Sequence, residues 1–286
     1  MRPRFSEDVA LQSSVPTAVR KEYLYALGGG RLLYTFASLH TEKPLRRCAA
    51  QILLALSQEP FRLTVNGAIG HYHAAVIKPR APRTCKIAAG INVQIDPSHP
   101  QFRRFRTIGA SGVLAMNRDT FREFDADFYR AYDGRLTIDA ATSLADTILN
   151  MVLSRVSEVR PLDVRIARVI DLLKANPKHS LHELATVVGI SYHRLSHLFM
   201  AEMGIPLRTF HLWRKVHSAM QMLGEMSIVD AAQRAGFADG SHLSHAFQQL
   251  HTWTPSYFYD SNRVKIIARP RSRRDRDVKL GAGVPS

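Results

Sequence analysis

The sequence predicts an α+β chain of two domains, a small β-barrel with appended helices followed by an all-α unit in which a linker helix joins two helix-turn-helix motifs. Three observations lead there. Residues 31–95 are short apolar runs separated by turn residues, Asn66-Gly67 and several prolines among them, the texture of a small all-β domain. After Pro100 the apolar spacing changes to that of amphipathic helices. From Ser180 onward one motif is written twice: Leu195-Ser196-His197-Leu198-Phe199 returns 48 residues later as Leu243-Ser244-His245-Ala246-Phe247.

Taken in order, residues 1–30 hold no sustained periodicity and end in Gly28-Gly29-Gly30, so they read as a mobile arm or loop with at most a short helix. Strand candidates follow at 32–37, 49–56, 61–65, 72–77, 85–89 and 91–95, and the run at 49–56 equally suits a buried helical turn. Helix candidates stand at 101–108, with Phe102 and Phe105 on one side, and at 119–131, with Phe121, Phe124 and Phe128. The strongest is 138–156, where Leu144, Ile148, Met151 or Val152, and Val156 form one apolar stripe between polar residues. These segments place an N-terminal domain at 1–160, β-rich to about 96 and helical over 100–157, with Pro161 at its boundary. A helical domain at 161–260 opens with 162–175, whose Leu162, Ile166, Val169, Ile170 and Leu173 share a face until Asn176-Pro177 ends the helix.

The repeated motif has a repeated lead-in. Ser180 precedes Glu183 by three residues, and Ser227 precedes Asp230 by three, so each pair can satisfy the free amides of a helix start as a capping box or its Asp variant. Gly189 and Gly236 then supply the positive φ of a tight turn, and a second amphipathic helix begins within a few residues. Helix, glycine turn and helix make a helix-turn-helix, whose second helix enters the major groove of DNA. Between the copies Pro206 starts a helix that runs to about Leu223, eighteen residues or roughly 27 Å. A spacer of that length can hold two recognition helices in successive grooves about 34 Å apart. A helical solenoid has repeats of similar period, but needs about three units, and nothing upstream of Leu162 repeats the pattern. In the first recognition helix Leu195, Leu198 and Phe199 must face the core, leaving His193, Arg194, Ser196 and His197 outward. In the second, Leu243, Ala246 and Phe247 turn inward, leaving Gly240, Ser241, His242 and His245.

Composition narrows the function classes. The formal charge is +15, yet its excess is +8 over residues 1–161, only +1 over 162–260, and +6 over 261–286. The DNA-binding unit is therefore nearly neutral, though nine of the thirteen histidines fall in it and can protonate beside phosphates. Residues 261–286, with Arg269, Arg271, Arg273, Arg274 and Arg276, read as a basic, disordered tail able to add sequence-independent phosphate attraction. No apolar stretch is long enough to span a membrane and the N-terminus lacks a signal-peptide core, so a cytoplasmic protein is expected. Cys48 and Cys85 are too few for a disulfide framework or a cysteine zinc site, and read as free buried thiols. His71-Tyr72-His73 could put two imidazoles on one strand face, but Ile77 and Lys78 stand where a metal site would need its Glu, so no metal and no cofactor are expected. A barrel mouth can hold a small effector; Arg80 and Arg83 would favour an anion, and His71 and His73 are further weak candidates.

The paired motifs and the segment joining them resemble the C-terminal DNA-binding domain of the AraC family of bacterial transcription regulators. Ala235-Gly236-Phe237, Leu243-Ser244-His245-Ala246-Phe247 and Thr254-Pro255-Ser256-Tyr257 carry the likeness, which spans residues 162–259. Departures stand at Thr252, where the family usually has Gly, at His251, usually aromatic, and at Gln248 and Gln249, usually basic. The family's base-reading positions match His193, Ser196 and His197 in the first helix and Ser241, His242 and His245 in the second, with Arg194 on a phosphate. Arginine often stands where His197 and His245 are. Val76-Ile77-Lys78-Pro79 and Ile95-Asp96-Pro97 are weakly similar to the cupin-like barrel that precedes this domain in the family. The resemblance implies a non-enzymatic regulator partnered by double-stranded DNA, RNA polymerase and a small-molecule effector, and a homodimer formed through 138–156. Alkyl-DNA repair, which some proteins with this domain perform, would need cysteine clusters that Cys48 and Cys85 do not form. A purely architectural DNA-binding role leaves the large upstream domain without a purpose.

Overall fold

The computed structural model describes residues 21–223, 226–251 and 254–269. Its N-terminal part holds two antiparallel sheets. The larger is built from β1 (Glu22–Gly28), β2 (Arg31–Phe36), β4 (Ala50–Ala55), β7 (Ala74–Ile77), β9 (Gly90–Ile95) and β10 (Val113–Met116) in the order β10-β7-β4-β9-β2-β1. The smaller has β3 (Leu39–Leu45), β5 (Phe61–Val65), β6 (Ala68–Tyr72) and β8 (Arg83–Ile87) in the order β3-β8-β5-β6. The six expected runs are all strands. The ambiguous one, β4, is buried at every position because both faces of its sheet are covered. Alternation along it is strict: Ala50, Ile52 and Leu54 face one core, Leu53 and Ala55 another.

Residues 21–30 depart from the expected loop. Glu22–Gly28 is a strand that pairs with β2 across a turn in which Gly28, Gly29 and Gly30 all take positive φ. The glycines that looked like the end of an arm are a hairpin turn; the rest of the expected arm, 1–20, lies outside the described residues. Asn66 and Gly67, also at positive φ, close the β5–β6 hairpin as expected.

After the sheets come a 3₁₀ turn at Phe102–Thr107, a second at Arg118–Phe124, α1 (Asp125–Tyr132) and α2 (Ile138–Leu153). The α2 stripe is not a free dimer face. Leu144, Ile148 and Val152 are buried in one core with Tyr25, Leu33, Ile52 and Val93 of the large sheet, and Met151 packs against it. The sheet has an apolar outer face of its own to cover, and α2 covers it. Apart from Ala140, the fully exposed residues of α2 are polar, including Ser143, Thr147 and Asn150.

The helical part comprises α3 (Val164–Ala175), α4 (Leu181–Val187), α5 (Tyr192–Met203), α6 (Leu207–Met220), α7 (Ile228–Arg234), α8 (Gly240–His251) and α9 (Pro255–Tyr259). Helix α6 ends about one turn earlier than expected, so its fourteen residues span roughly 21 Å. After α9 the chain returns to the large sheet. Strand β11 (Val264–Ala268) pairs in parallel with β1 and becomes its seventh strand, so this part of the expected disordered tail is ordered. The arginines of 270–286 lie outside the described residues.

Candidate nucleic-acid interface

Both helix-turn-helix units form by the local rules their sequences carry. Ser180 caps α4 in a full reciprocal box: its hydroxyl accepts from the Glu183 amide at 3.1 Å, and Glu183 accepts from the Ser180 amide at 2.9 Å. Asp230 is one methylene shorter, and its carboxylate instead accepts from the Ser227 hydroxyl at 2.6 Å, while that hydroxyl accepts from the Asp230 amide at 3.1 Å. Gly189 and Gly236 turn the chain at φ +69° and +84°. Ser191 then caps α5 through the Arg194 amide, and the Asp239 carboxylate accepts from the His242 amide near the start of α8.

In the second helix of each unit the residues expected outward are exposed or half-buried. In α5, Leu195 and Phe199 are buried, whereas His193, Arg194 and His197 are exposed and Ser196 is half-buried. His193 and His197, one turn apart, bring their Nε2 atoms to 3.2 Å, so one ring nitrogen donates and the other accepts. In α8, Leu243, Ala246 and Phe247 are buried and Ser241, His242 and His245 are exposed, with the His242 ring edge-on to Phe237 at 5.3 Å. Burial pushes three histidines of this unit down, His211, His217 and His251, and so disfavours their charged forms. His251, where an aromatic was expected, takes an aromatic's place: it is buried 4.8 Å from the Phe247 ring and 5.2 Å from Trp213. Gln248 and Gln249 are exposed.

A helix-turn-helix family model matches residues 184–260. This part of the chain is an AraC-type helix-turn-helix domain. The two-domain architecture is shared with ToxT from Vibrio cholerae O395, at a TM-score of 0.52 and 13% identity over 79% of this chain and 95% of that one. A structure of unsaturated fatty acid bound wild-type ToxT from Vibrio cholerae strain SCE256 gives 0.51 and 11% over 79% and 92%. An AraC-type DNA-binding-domain regulator from Chromobacterium violaceum is 27% identical over 32% of this chain and 86% of that one, at a TM-score of 0.31. Comparison with curated proteins finds no match.

The helical part is fastened to the sheets by buried polar contacts. Asp96, just past β9, is buried and accepts from Trp213 Nε1 of α6 at 2.8 Å and from the Ser98 amide at 2.5 Å; His217 stacks on Trp213 with its Nδ1 3.6 Å from the same carboxylate. Beside this contact a small pocket of about 30 Å³ lies between the large sheet, the small sheet and α6 and α8. Leu24, Leu32, Leu39 and Met220 give it an apolar wall; Arg47, Gln51, Arg83, Asn92, Gln94 and His251 give it a polar one. Arg83 donates to Gln51, but its Nη1 has no hydrogen-bond partner among the described residues, and neither do Asn92 Oδ1 and Gln94 Nε2.

Of the four effector candidates, only Arg83 lines this pocket. His71 is exposed on β6 and His73 falls in the break where the chain leaves one sheet for the other, so no single strand aligns them. Arg80 sits in a left-handed turn whose carbonyl accepts from Arg46. Gln51, Asn92 and Gln94 were missed although they interrupt otherwise apolar strands, which is the mark of a polar group wanted inside. Both thiols are buried; burial lifts Cys48 to about 11 and raises Cys85 against its Thr41, Arg83 and Arg47 neighbours, the reverse of a reactive cysteine. No helix among the described residues is long and apolar enough to cross a membrane.

Proposed function

We propose that this regulator reads two successive major grooves with one protomer and that a small molecule in the pocket between sheets and helices controls it. The observation that carries the first part is the pair of outward faces, His193, Arg194, Ser196 and His197 on α5 and Ser241, His242 and His245 on α8, separated by one continuous helix. Arg194 serves as a phosphate contact and the others read base edges; histidine donates to guanine N7 or O6. The chain divides its labour near Pro161, sensing before it and DNA-binding over 161–260. Hydroxyl-radical footprinting of the full chain on its best operator is expected to give two protected patches about one turn apart on one face. A single patch per protomer would overturn two-groove reading.

The second part rests on the pocket's chemistry. An apolar wall ending at two buried guanidinium groups suits an amphiphile with an acidic head. The related fold of ToxT binds an unsaturated fatty acid, which agrees with that class. At about 30 Å³ the pocket holds only a water or two, so an amphiphile enters only if α6 and α8 shift off the sheet. Those helices carry or orient the second recognition surface, so ligand and DNA are thermodynamically linked. Arg83→Met is expected to leave the fold stable, because replacing a buried ion by an apolar chain of similar volume is often neutral or favourable, and to remove the melting shift produced by oleate. An undiminished shift would place the effector elsewhere.

A further inference from the structure

A second cleft, sharing no lining residue with the first, also lies between the N-terminal and helical parts. It measures about 520 Å³ and is formed by Lys78 and Pro79 after β7, the turn at Phe102–Thr107, the connection at Val159 and Arg160, and Ala201 and Gly204 at the C-terminal end of α5. Four cations line it: Lys78, Arg103, Arg106 and Arg160. One carboxylate, Glu202, serves them from a fully buried position, and both its oxygens are taken, Oε2 by Arg103 Nη2 at 2.7 Å and Oε1 by Arg160.

The other two cations meet only neutral oxygens. Arg106 Nη1 donates to the Ala201 carbonyl at 2.8 Å and to that of Glu202; Lys78 Nζ donates to the Ile108 carbonyl at 2.9 Å. Neither appears in an ion pair among the described residues. Burial, then the like charges of Arg103 and Arg160, push the Arg106 pKa down against the pull of Glu202. Charge of one sign is thus held together in a concave site, where an anion relieves it far more than in open water.

We propose that this cleft binds a small, multiply charged anion of the phosphate class, joining the N-terminal part to the far end of the first recognition helix. Guanidinium forks match phosphate oxygens in pairs, and Lys78 adds a point charge. The volume is that of a small-molecule site. Duplex DNA does not suit it, because the site is concave and Gly204 lies eleven residues, roughly 16 Å, along the helix from His193 at its reading end.

Calorimetric titration and thermal melting of the full chain with pyrophosphate, against chloride at equal ionic strength, test the proposal. Saturable one-site binding with a raised melting midpoint is expected. Lys78→Gln and Arg160→Gln, which change partly or fully exposed side chains, are each expected to weaken it about tenfold. Ala201→Glu, at an exposed helical position, puts a carboxylate among the cations and is expected to abolish it. Circular dichroism confirms that each variant folds. A pyrophosphate effect no larger than that of chloride, or one that survives Ala201→Glu, overturns the site. So does the result that Lys78→Gln and Arg160→Gln lower the affinity and salt slope for non-operator DNA while pyrophosphate binding stays intact, for the cleft then serves the DNA backbone.

Discussion

At the scale of single residues, the proposed reading surfaces present histidine where arginine would give a bidentate contact. An imidazole supplies one directed donor, and in the His193–His197 pair one ring holds the other in place. We expect His197→Ala to relax base preference within one of the two patches and to weaken the correct operator by about 1–3 kcal/mol. Removing residues 270–286 should instead weaken all sequences alike and flatten the salt dependence. Quantitative gel-shift titrations on operator and scrambled DNA separate the two, and an equal loss on both DNAs for His197→Ala would make it a phosphate anchor.

At the scale of elements, α2 shows how a stripe acquires its meaning. Ile148 is completely buried between α2 and the large sheet, so Ile148→Glu leaves a carboxylate in an apolar core with no partner. We expect a loss of about 4 kcal/mol or more and a chain that is largely unfolded by circular dichroism. Thr147→Glu, on the exposed polar side, should melt within about 0.5 kcal/mol of the parent. A folded, monomeric Ile148→Glu protein would instead return the stripe to a subunit interface.

At the scale of the whole molecule, the contact between sheets and helices is acid-sensitive, and its sign follows from which form is buried. Asp96 faces His217, Trp213 and Arg214 from the helices and Cys48, Ser98 and His99 from the N-terminal part; Arg31 and Lys174 in turn act on His99, and His217 and Arg47 on His251. Burial pushes His217 and His251 down, and burial with the Arg31 charge takes His99 to about 4. Unfolded histidine titrates near 6.5, so below that the unfolded chain binds protons that the folded one refuses. Stability is therefore full above about pH 6.5 and declines as pH falls towards about 4. For Asp96, burial raises the pKa, but His217, Ser98 and Trp213 outweigh it and hold the carboxyl low, so its contribution is lost only at still lower pH. Melting midpoints at pH 7.5, 6.5 and 5 should fall in that order. His251→Phe keeps a ring against Phe247 and Trp213 without a titrating nitrogen, and should recover on the order of 1 kcal/mol at pH 5. An unchanged pH slope in that variant would assign the effect to other groups.

What the sequence determined by itself was local: period-two runs that became strands, capped 3.6-period segments that became helices, and two glycine turns that set each recognition helix outward. The residues proposed to read DNA were legible for the same reason, since on a short amphipathic helix the face not needed by the core must be wet. Tertiary structure decided what each apolar face meets and which distant strands pair. Nothing local marks β11 as the neighbour of β1, more than two hundred residues earlier, because parallel pairing is chosen by the sheet edge left open. Nor does periodicity say whether α2 covers its own sheet or a partner, since burial removes apolar area from water equally in either case. The two clefts belong to the same class. Their charges come from strands, turns and helix ends far apart in the chain, and become sites only because the Asp96 and Glu202 contacts hold those pieces at one boundary.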